Sequence, residues 1–447
     1  MEKIEYQKII ENQQKDNELL KKDNELLKKL VGELCRRLRI YENPHMPSSR
    51  QIIKEKKEEK EPQKRGAPEG HEGATRAKPV PNRIVNHKRP EICPNCKGDN
   101  LDIENRKKII TDIIIIPDFA QINYFDCICK DCGKTFSTKS RDLPQEGNFG
   151  PTLASLWMNL HYIGMIPFER LSTISKNCLG IPITPSGLHN VIYRTAEIFE
   201  PDFDEIRETV KESEYVGSDE TKYSFNGKTN WLWDISTLED VLVLIRQGRG
   251  SPVLEEVFGE IYGGILNSDC YSAYGKYKAK EKQKDWSHII RDAKDIAKHN
   301  NDGAELHKRL SRMYRYIAKA KKNKEEGSEK VKRWVQMQKK RMESWRSRTY
   351  ESKSAVNLVK RICKYKDEWF TCLKYGFVEP TNNAREREIR KNVLARKISG
   401  CHRSEKGKHA REIMMSNILT IQKRNQNPFE FIANRIMIHN SGETILN

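Results

Sequence analysis

The run from Glu214 to Cys270 constrains the fold more than any other part of the chain. It reads "EYVGSDETKYSF", the turn "NGK", "TNWLWDIST", then "DVLVLIRQGR", a helical "SPVLEEVFGEIY" and a further strand "GGILNSDC". An Asn-Gly pair between two runs rich in aromatic and β-branched residues is a hairpin signal, because both turn residues accept positive φ.

Three consecutive strands, a helix and a fourth strand follow the order of a ribonuclease H-like α/β sheet, in which the first and fourth strands are neighbours. That order places Asp219, in "YVGSDET", and Asp269, at the end of "GILNSD", where both side chains can point at one spot. Glu386, on a helix much later in the chain, is the third acid of the series. Most of the 63 acidic residues are solvated surface charges, so it is the order of these three that singles them out. Hard oxygen ligands in such a group suit two Mg²⁺ ions and phosphoryl transfer.

The chain has 447 residues, enough for two to four domains. Its 82 Lys and Arg against 63 Asp and Glu give a formal charge of +19. Such an excess favours a polyanionic partner, with nucleic acid first and a membrane surface second. No stretch approaches a transmembrane span, and the N-terminus lacks the order of a signal peptide, so the expectation is a cytoplasmic protein, associated with the prokaryotic nucleoid when bound to DNA, with no membrane partner.

Five further regions surround the sheet. Residues 1–45 repeat "KDNELLK" and place Leu20, Leu27, Leu34 and Tyr41 at d, with Asn17 and Asn24 among the a positions. A dimerising coiled coil or a single amphipathic helix on the protein's own surface both satisfy that pattern. Residues 46–90 read as a basic linker, either following a phosphate backbone or serving as a tether. Residues 91–140 hold "CPNC" and "CKDC", so Cys93, Cys96, Cys129 and Cys132 suit a structural tetrathiolate zinc site. Residues 145–205 suggest a helix-turn-helix, with Gly180 and Pro182 in its turn and Thr184 capping a helix that opens at Pro185. The catalytic α/β domain then covers residues 210–430 with a helical insertion over 300–375, and 431–447 reads as a C-terminal tail. The fold class expected is a multidomain α+β protein.

The chain resembles the insertion sequence 66 transposase family, of the TnpC type, over nearly its whole length. The resemblance is carried by "GAPEGHEGATR", the paired CxxC module, "SDET" with "GKTNWLWDIS", "GILNSDCYSAY", "DWSHIIRDAKD" and "NNAREREIRKNVLARKISG". It implies a DDE transposase that binds the ends of a mobile element and cuts and joins DNA, with Asp219, Asp269 and Glu386 holding Mg²⁺ or Mn²⁺. Asn382 and Asn383 would position the Glu386 helix or contact DNA. His288 and Arg291 are auxiliary candidates, His288 either as a structural group or as a phosphate contact. Arg385, Arg387, Arg390, Lys391, Arg396 and Lys397 would surround Glu386 with phosphate-binding charge. Element ends and target DNA, a homodimer or higher oligomer, and accessory proteins of the same element are the implied partners. Two other readings of the same residues stay open: a catalytically inactive DNA-binding derivative, and a nuclease that cuts without joining. Asn383 to Glu386 also fits a capping box, which would make Glu386 a helix cap.

Overall fold

The computed structural model describes residue 27, residues 80–400 and residues 402–443. The coiled-coil expectation and most of the linker lie outside the described residues. The chain divides into two units, Met1–Asp112 and Ile113–Asn447.

In the first unit, residues 80–112 form no helix or strand, but "CPNC" folds into a tight knuckle. Cys93 N donates to Gly98 O at 2.8 Å and Lys97 N to Cys93 O at 2.9 Å, with Lys97 at positive φ.

The second unit opens with a hairpin, β1 (Asp126–Ile128) and β2 (Thr135–Ser137), whose turn is "CKDC". Here Cys129 N donates to Lys134 O and Gly133 N to Cys129 O, both at 2.8 Å, and Gly133 takes the positive φ that Lys97 takes in the other knuckle. The two cysteine pairs thus adopt the same local turn.

Four helices follow: α1 (Pro151–Met158), α2 (Phe168–Leu179), α3 (Pro185–Ile198) and α4 (Glu200–Glu212). Gly180 is left-handed at the end of α2, and Thr184 caps α3 by accepting from Gly187 N at 3.1 Å. These helices are not a free-standing reading head. Leu188, Val191 and Ile192 of α3 belong to the same hydrophobic core as the central sheet.

That sheet contains β3 (Tyr215–Phe225), β4 (Lys228–Ser236) and β5 (Val241–Arg246), then α5 (Pro252–Phe258), β6 (Ile261–Ser268), α6 (Ser272–Lys276) and β7 (Lys278–Lys284). The strand order is β5-β4-β3-β6-β7, with β3, β4 and β5 antiparallel and β3, β6 and β7 parallel. Asn226 and Gly227 both take positive φ between β3 and β4, as the hairpin signal requires.

Both edges are managed. β7 reads "KAKEKQK", charged as an exposed edge strand needs to be. The other edge, β5, is apolar and buried, and a later helix satisfies its amides. Val241, Val243 and Ile245 donate their N–H groups to Thr420, Ser416 and Glu412 at 2.9, 2.8 and 2.6 Å. Two strand residues advance about 6.7 Å and four helical residues about 6.0 Å, so a four-residue spacing on the helix meets every second strand amide.

After β7 come α7 (Trp286–Ala297) and then three helices, α8 (Asn301–Lys322), α9 (Glu329–Arg346) and α10 (Lys353–Lys364), which occupy the 300–375 stretch with a second core. Asn300, Ser328 and Ser352 cap them. Trp345 and Trp369 are buried there, and Tyr215 and Ile265 join that core to the sheet. The chain ends in α11 (Asn383–Ser399), α12 (Glu405–Lys423) and α13 (Pro428–Ser441). The expected tail is corrected: α13 is a packed helix. Its Phe429 carbonyl accepts from Ser155 Oγ of α1 at 2.6 Å, and Arg435 pairs with Asp202 at 2.8 Å.

Candidate active site

Gly217 of β3 lies opposite Asn267 of parallel β6, so Asp219 and Asp269 stand two residues further along on neighbouring strands, at one level. Asp219 accepts from Glu220 N at 2.9 Å and Asp269 from Tyr271 N at 2.8 Å, which leaves each carboxylate a free oxygen side. Beneath Asp269, the fully buried Lys284 donates to the Ser268 hydroxyl at 3.0 Å and to the Asp269 carbonyl at 2.9 Å. Burial lowers the pKa of this lysine, and its Nζ keeps the strand exit fixed.

Residues 379–382 are tied to both central strands before α11 begins. Asn267 Nδ2 donates to the carbonyls of Glu379 at 3.0 Å and Thr381 at 3.3 Å. Trp286 N donates to Pro380 O at 3.1 Å. Asn382 donates through Nδ2 to Ser218 O on β3 at 3.0 Å. With its amide committed to the sheet, Asn382 gives α11 no side-chain cap, and Asn383 is already helical. The capping-box reading is therefore corrected. Glu386 does not reach back to the helix start but out to α7.

There its Oε2 lies 3.6 Å from Arg291 Nη2 and its Oε1 3.5 Å from His288 Nδ1. Asp285 holds that same Nδ1 at 2.5 Å while capping α7 through Ser287 N at 2.7 Å. The hydrogen bond to Asp285 raises the His288 pKa to about 9 against the effect of burial, and the charges of Asp285, Glu386 and Asp269 add to it. Burial pushes the Asp285 carboxyl up, but the His288 contacts and the Ser287 donors outweigh it and hold it low. Asp219 is pushed up to about 7, first by burial and then by the charges of Glu220 and Asp269. His288 is therefore within electrostatic reach of Asp219, Asp269 and Glu386. The closest ligand cluster among the described residues is Asp285, His288 and Glu386, with ligand atoms all within 4.8 Å.

With His288 protonated and bonded to Asp285, it is the carboxylates Asp219 and Glu386 that suit a divalent cation. Glu386 Oε1 is buried without a hydrogen-bond donor, and Asp219 carries a pKa raised first by burial and then by like charge, both conditions that a nearby cation relieves.

The basic residues of α11 divide into two groups. Arg387, Arg390, Lys391 and Lys397 are exposed, and Arg396 is half-buried. Arg385 corrects its expectation as a phosphate contact. It is 2 % exposed, lies across Gly217 where any Cβ would collide with it, and donates to Ser236 O at 3.3 Å.

Several site residues escaped the sequence reading. Asp234 of β4 is directly opposite Asp219 and fully buried. Glu220 faces away from Asp219, bonded by the Tyr274 hydroxyl and by Arg249 Nε at 2.8 Å. The "DET" in "SDET" signals a pair of acids, but only the strand period separates their faces.

A family model for the transposase IS66 family matches residues 146–410. The chain belongs to the IS66 transposase family. No curated protein matches it. The IS66 segment contains Asp219, Asp269, His288 and Glu386 and ends within α12, while both cysteine knuckles lie outside it. Membership makes DNA the partner to which the +19 charge answers. Among the described residues no helix is long and apolar enough to cross a membrane.

Proposed function

We propose that the chain is a DDE transposase that binds the ends of its element, cuts a strand and joins the freed end to target DNA. The observation that carries this is the delivery of Glu386, by a segment bonded to β3 and β6, toward the level that Asp219 within β3 and Asp269 just past the end of β6 share on neighbouring parallel strands. The sheet order β5-β4-β3-β6-β7 supports the ribonuclease H-like reading of the domain.

Asp219, Asp269 and Glu386 would hold Mg²⁺ or Mn²⁺. When bound, such ions supply activation of the attacking oxygen and stabilisation of the leaving one. The chain's own residues do the positioning. Lys284 and the Asn267 amide fix the two elements that present Asp269 and Glu386. His288, kept protonated at neutral pH by Asp285, and Arg291 place two positive groups beside Glu386, suited to a phosphate oxygen. The exposed Arg387, Arg390, Lys391 and Lys397 would track the DNA backbone.

Each CxxC knuckle supports thiolate chemistry. Backbone N–H groups of Cys96 and Asn95 lower the Cys93 thiol pKa, and those of Cys132 and Asp131 lower that of Cys129, which favours the zinc-binding form. Dimerisation through residues 1–45 belongs to the same reading and rests on the heptads.

The test is Mg²⁺- or Mn²⁺-dependent nicking and joining of a supercoiled plasmid carrying the DNA that flanks the gene, with wild type beside Glu386→Gln. Cleavage and joining by the wild type alone supports the proposal. DNA binding by both proteins with no strand cut by either would replace it with a non-catalytic DNA-binding protein.

A further inference from the structure

The insertion carries a groove that the chemistry above does not use. It runs between α8 and α9, with a cavity of about 520 Å³, within the range of about 300–1,000 Å³ typical of ligand pockets. Its floor is Met313 and Trp345, both buried. Tyr316 and Trp334 line it as a parallel stacked pair, ring centroids 3.9 Å apart and planes 13° apart, both half-buried.

Four arginines rim the groove. Arg309 and Arg348 share Glu305 as a partner, so their charge is partly answered. Arg312 and Arg341 are exposed and have no ion pair among the described residues. Arg312 and Tyr316 are four apart on α8, while Trp334, Arg341 and Trp345 follow helical spacing on α9 and Arg348 lies just past its end, so each wall carries both guanidinium and ring. The hairpin is docked on α7, the helix that carries His288 and Arg291, through the core containing Trp286, Leu306 and Leu310.

Guanidiniums without ion pairs beside a half-buried aromatic pair that lines the groove are the two components of a single-strand site: cations for the phosphates and a platform for an unpaired base. A duplex offers the first but keeps its bases stacked on each other. We infer that the α8–α9 groove binds single-stranded DNA, holding an unpaired nucleotide against Tyr316 and Trp334 with its phosphates on Arg312 and Arg341. The choice of DNA as the polyanion rests on the transposase reading, whereas the preference for unpaired nucleotides rests on the groove.

The test uses the full chain and fluorescence anisotropy with a labelled 20-nucleotide oligo(dT) and a 20-base-pair duplex. Arg312→Gln/Arg341→Gln, whose fold is checked by its melting temperature, is expected to lose about 10-fold in single-strand affinity and under about 3-fold on the duplex. Its log–log salt slope should fall by about 1.4, the value for two phosphate contacts on a single strand. A 5-iodouracil strand should photocrosslink to the peptides holding Tyr316 or Trp334. Unchanged single-strand affinity, equal loss on both DNAs, or crosslinks confined to other peptides would overturn the inference. Strand binding is read without Mg²⁺ or Mn²⁺ and involves no cleavage, so a failure of catalysis leaves this readout intact. A wild type that binds neither DNA would sink the groove and the transposase reading together.

Discussion

Asp234 lies directly opposite Asp219 across the β3–β4 pair, fully buried, with no hydrogen-bond donor to either carboxylate oxygen. Burial raises its pKa well above the usual range, the charges of Glu388 and Asp219 add to that, and Lys423 and Arg385 oppose it. Arg385 Nε, also buried, is likewise without a partner. Two unmet groups therefore sit under the helix that presents Glu386, where a buried polar network would ordinarily be complete.

The pH dependence of stability should show this. A carboxyl whose folded pKa is raised contributes fully below its unfolded value near 4 and loses that contribution as pH rises toward its folded value. Metal-free wild type should therefore lose stability from about pH 4 upward through this group. Asp234→Asn should be flatter and more stable at pH 8 by about 1–3 kcal/mol. Urea unfolding at pH 5 and pH 8 measures both, and parallel curves for the two proteins would refute the assignment.

His288 gives a second window. Its folded pKa of about 9 stands above the ordinary 6.5, so its stabilisation is complete below pH 6.5 and is lost as pH rises through about 9. Asp285→Asn should bring the imidazole pKa down by more than one unit, read directly by NMR titration of the metal-free protein. A His288 that still titrates near 9 in that variant would show that Asp285 is not the cause.

Gly217 has a steric task. A Cβ there meets the side chain of Arg385, so Gly217→Ala should cost about 1–3 kcal/mol as an overpacked core does. Arg385→Ala should remove that penalty from the double variant. Additive losses in the four-protein cycle would mean the two residues do not share the slot.

Catalysis should be separable from folding at the acids. Asp219→Asn and Glu386→Gln are each expected to lower strand cleavage by about 10²-fold or more while both proteins keep their fold, and the Asp219→Asn melting temperature should hold or rise because that variant removes a carboxylate disfavoured by burial and then by the charges of Glu220 and Asp269. Plasmid nicking and calorimetry on the same preparations test this. A large fall in melting temperature would recast either residue as structural.

How far the sequence spoke depends on whether the deciding contact is local. Asn226-Gly227 and Thr184 were readable because their roles are set by their own backbone. "KAKEKQK" gave no sign of β7, since an edge strand guarded by lysines has the composition of a loop, and only its end, Gln283 and Lys284, is buried. Arg385 read as one more cation on a basic helix. What buries it is a missing side chain at Gly217, 168 residues earlier, which no helical period reports. Asn382 read as a residue that positions the Glu386 helix or contacts DNA, but its partner, Ser218 O, is far away in sequence and could not be read. Helix α13 was taken for a tail because most of its buried face is matched by helices far back in the chain, α1 and α3 among them.

The bonds that Asn267, Ser218 and Trp286 make to residues 379–382 also give the enzyme a chronology. Strands, aspartates and the arginine-lined hairpin all leave the ribosome before Glu386 does. A polypeptide halted short of residue 379 would lack Glu386, the exposed cations of α11 and the α12 side chains that satisfy the β5 amides.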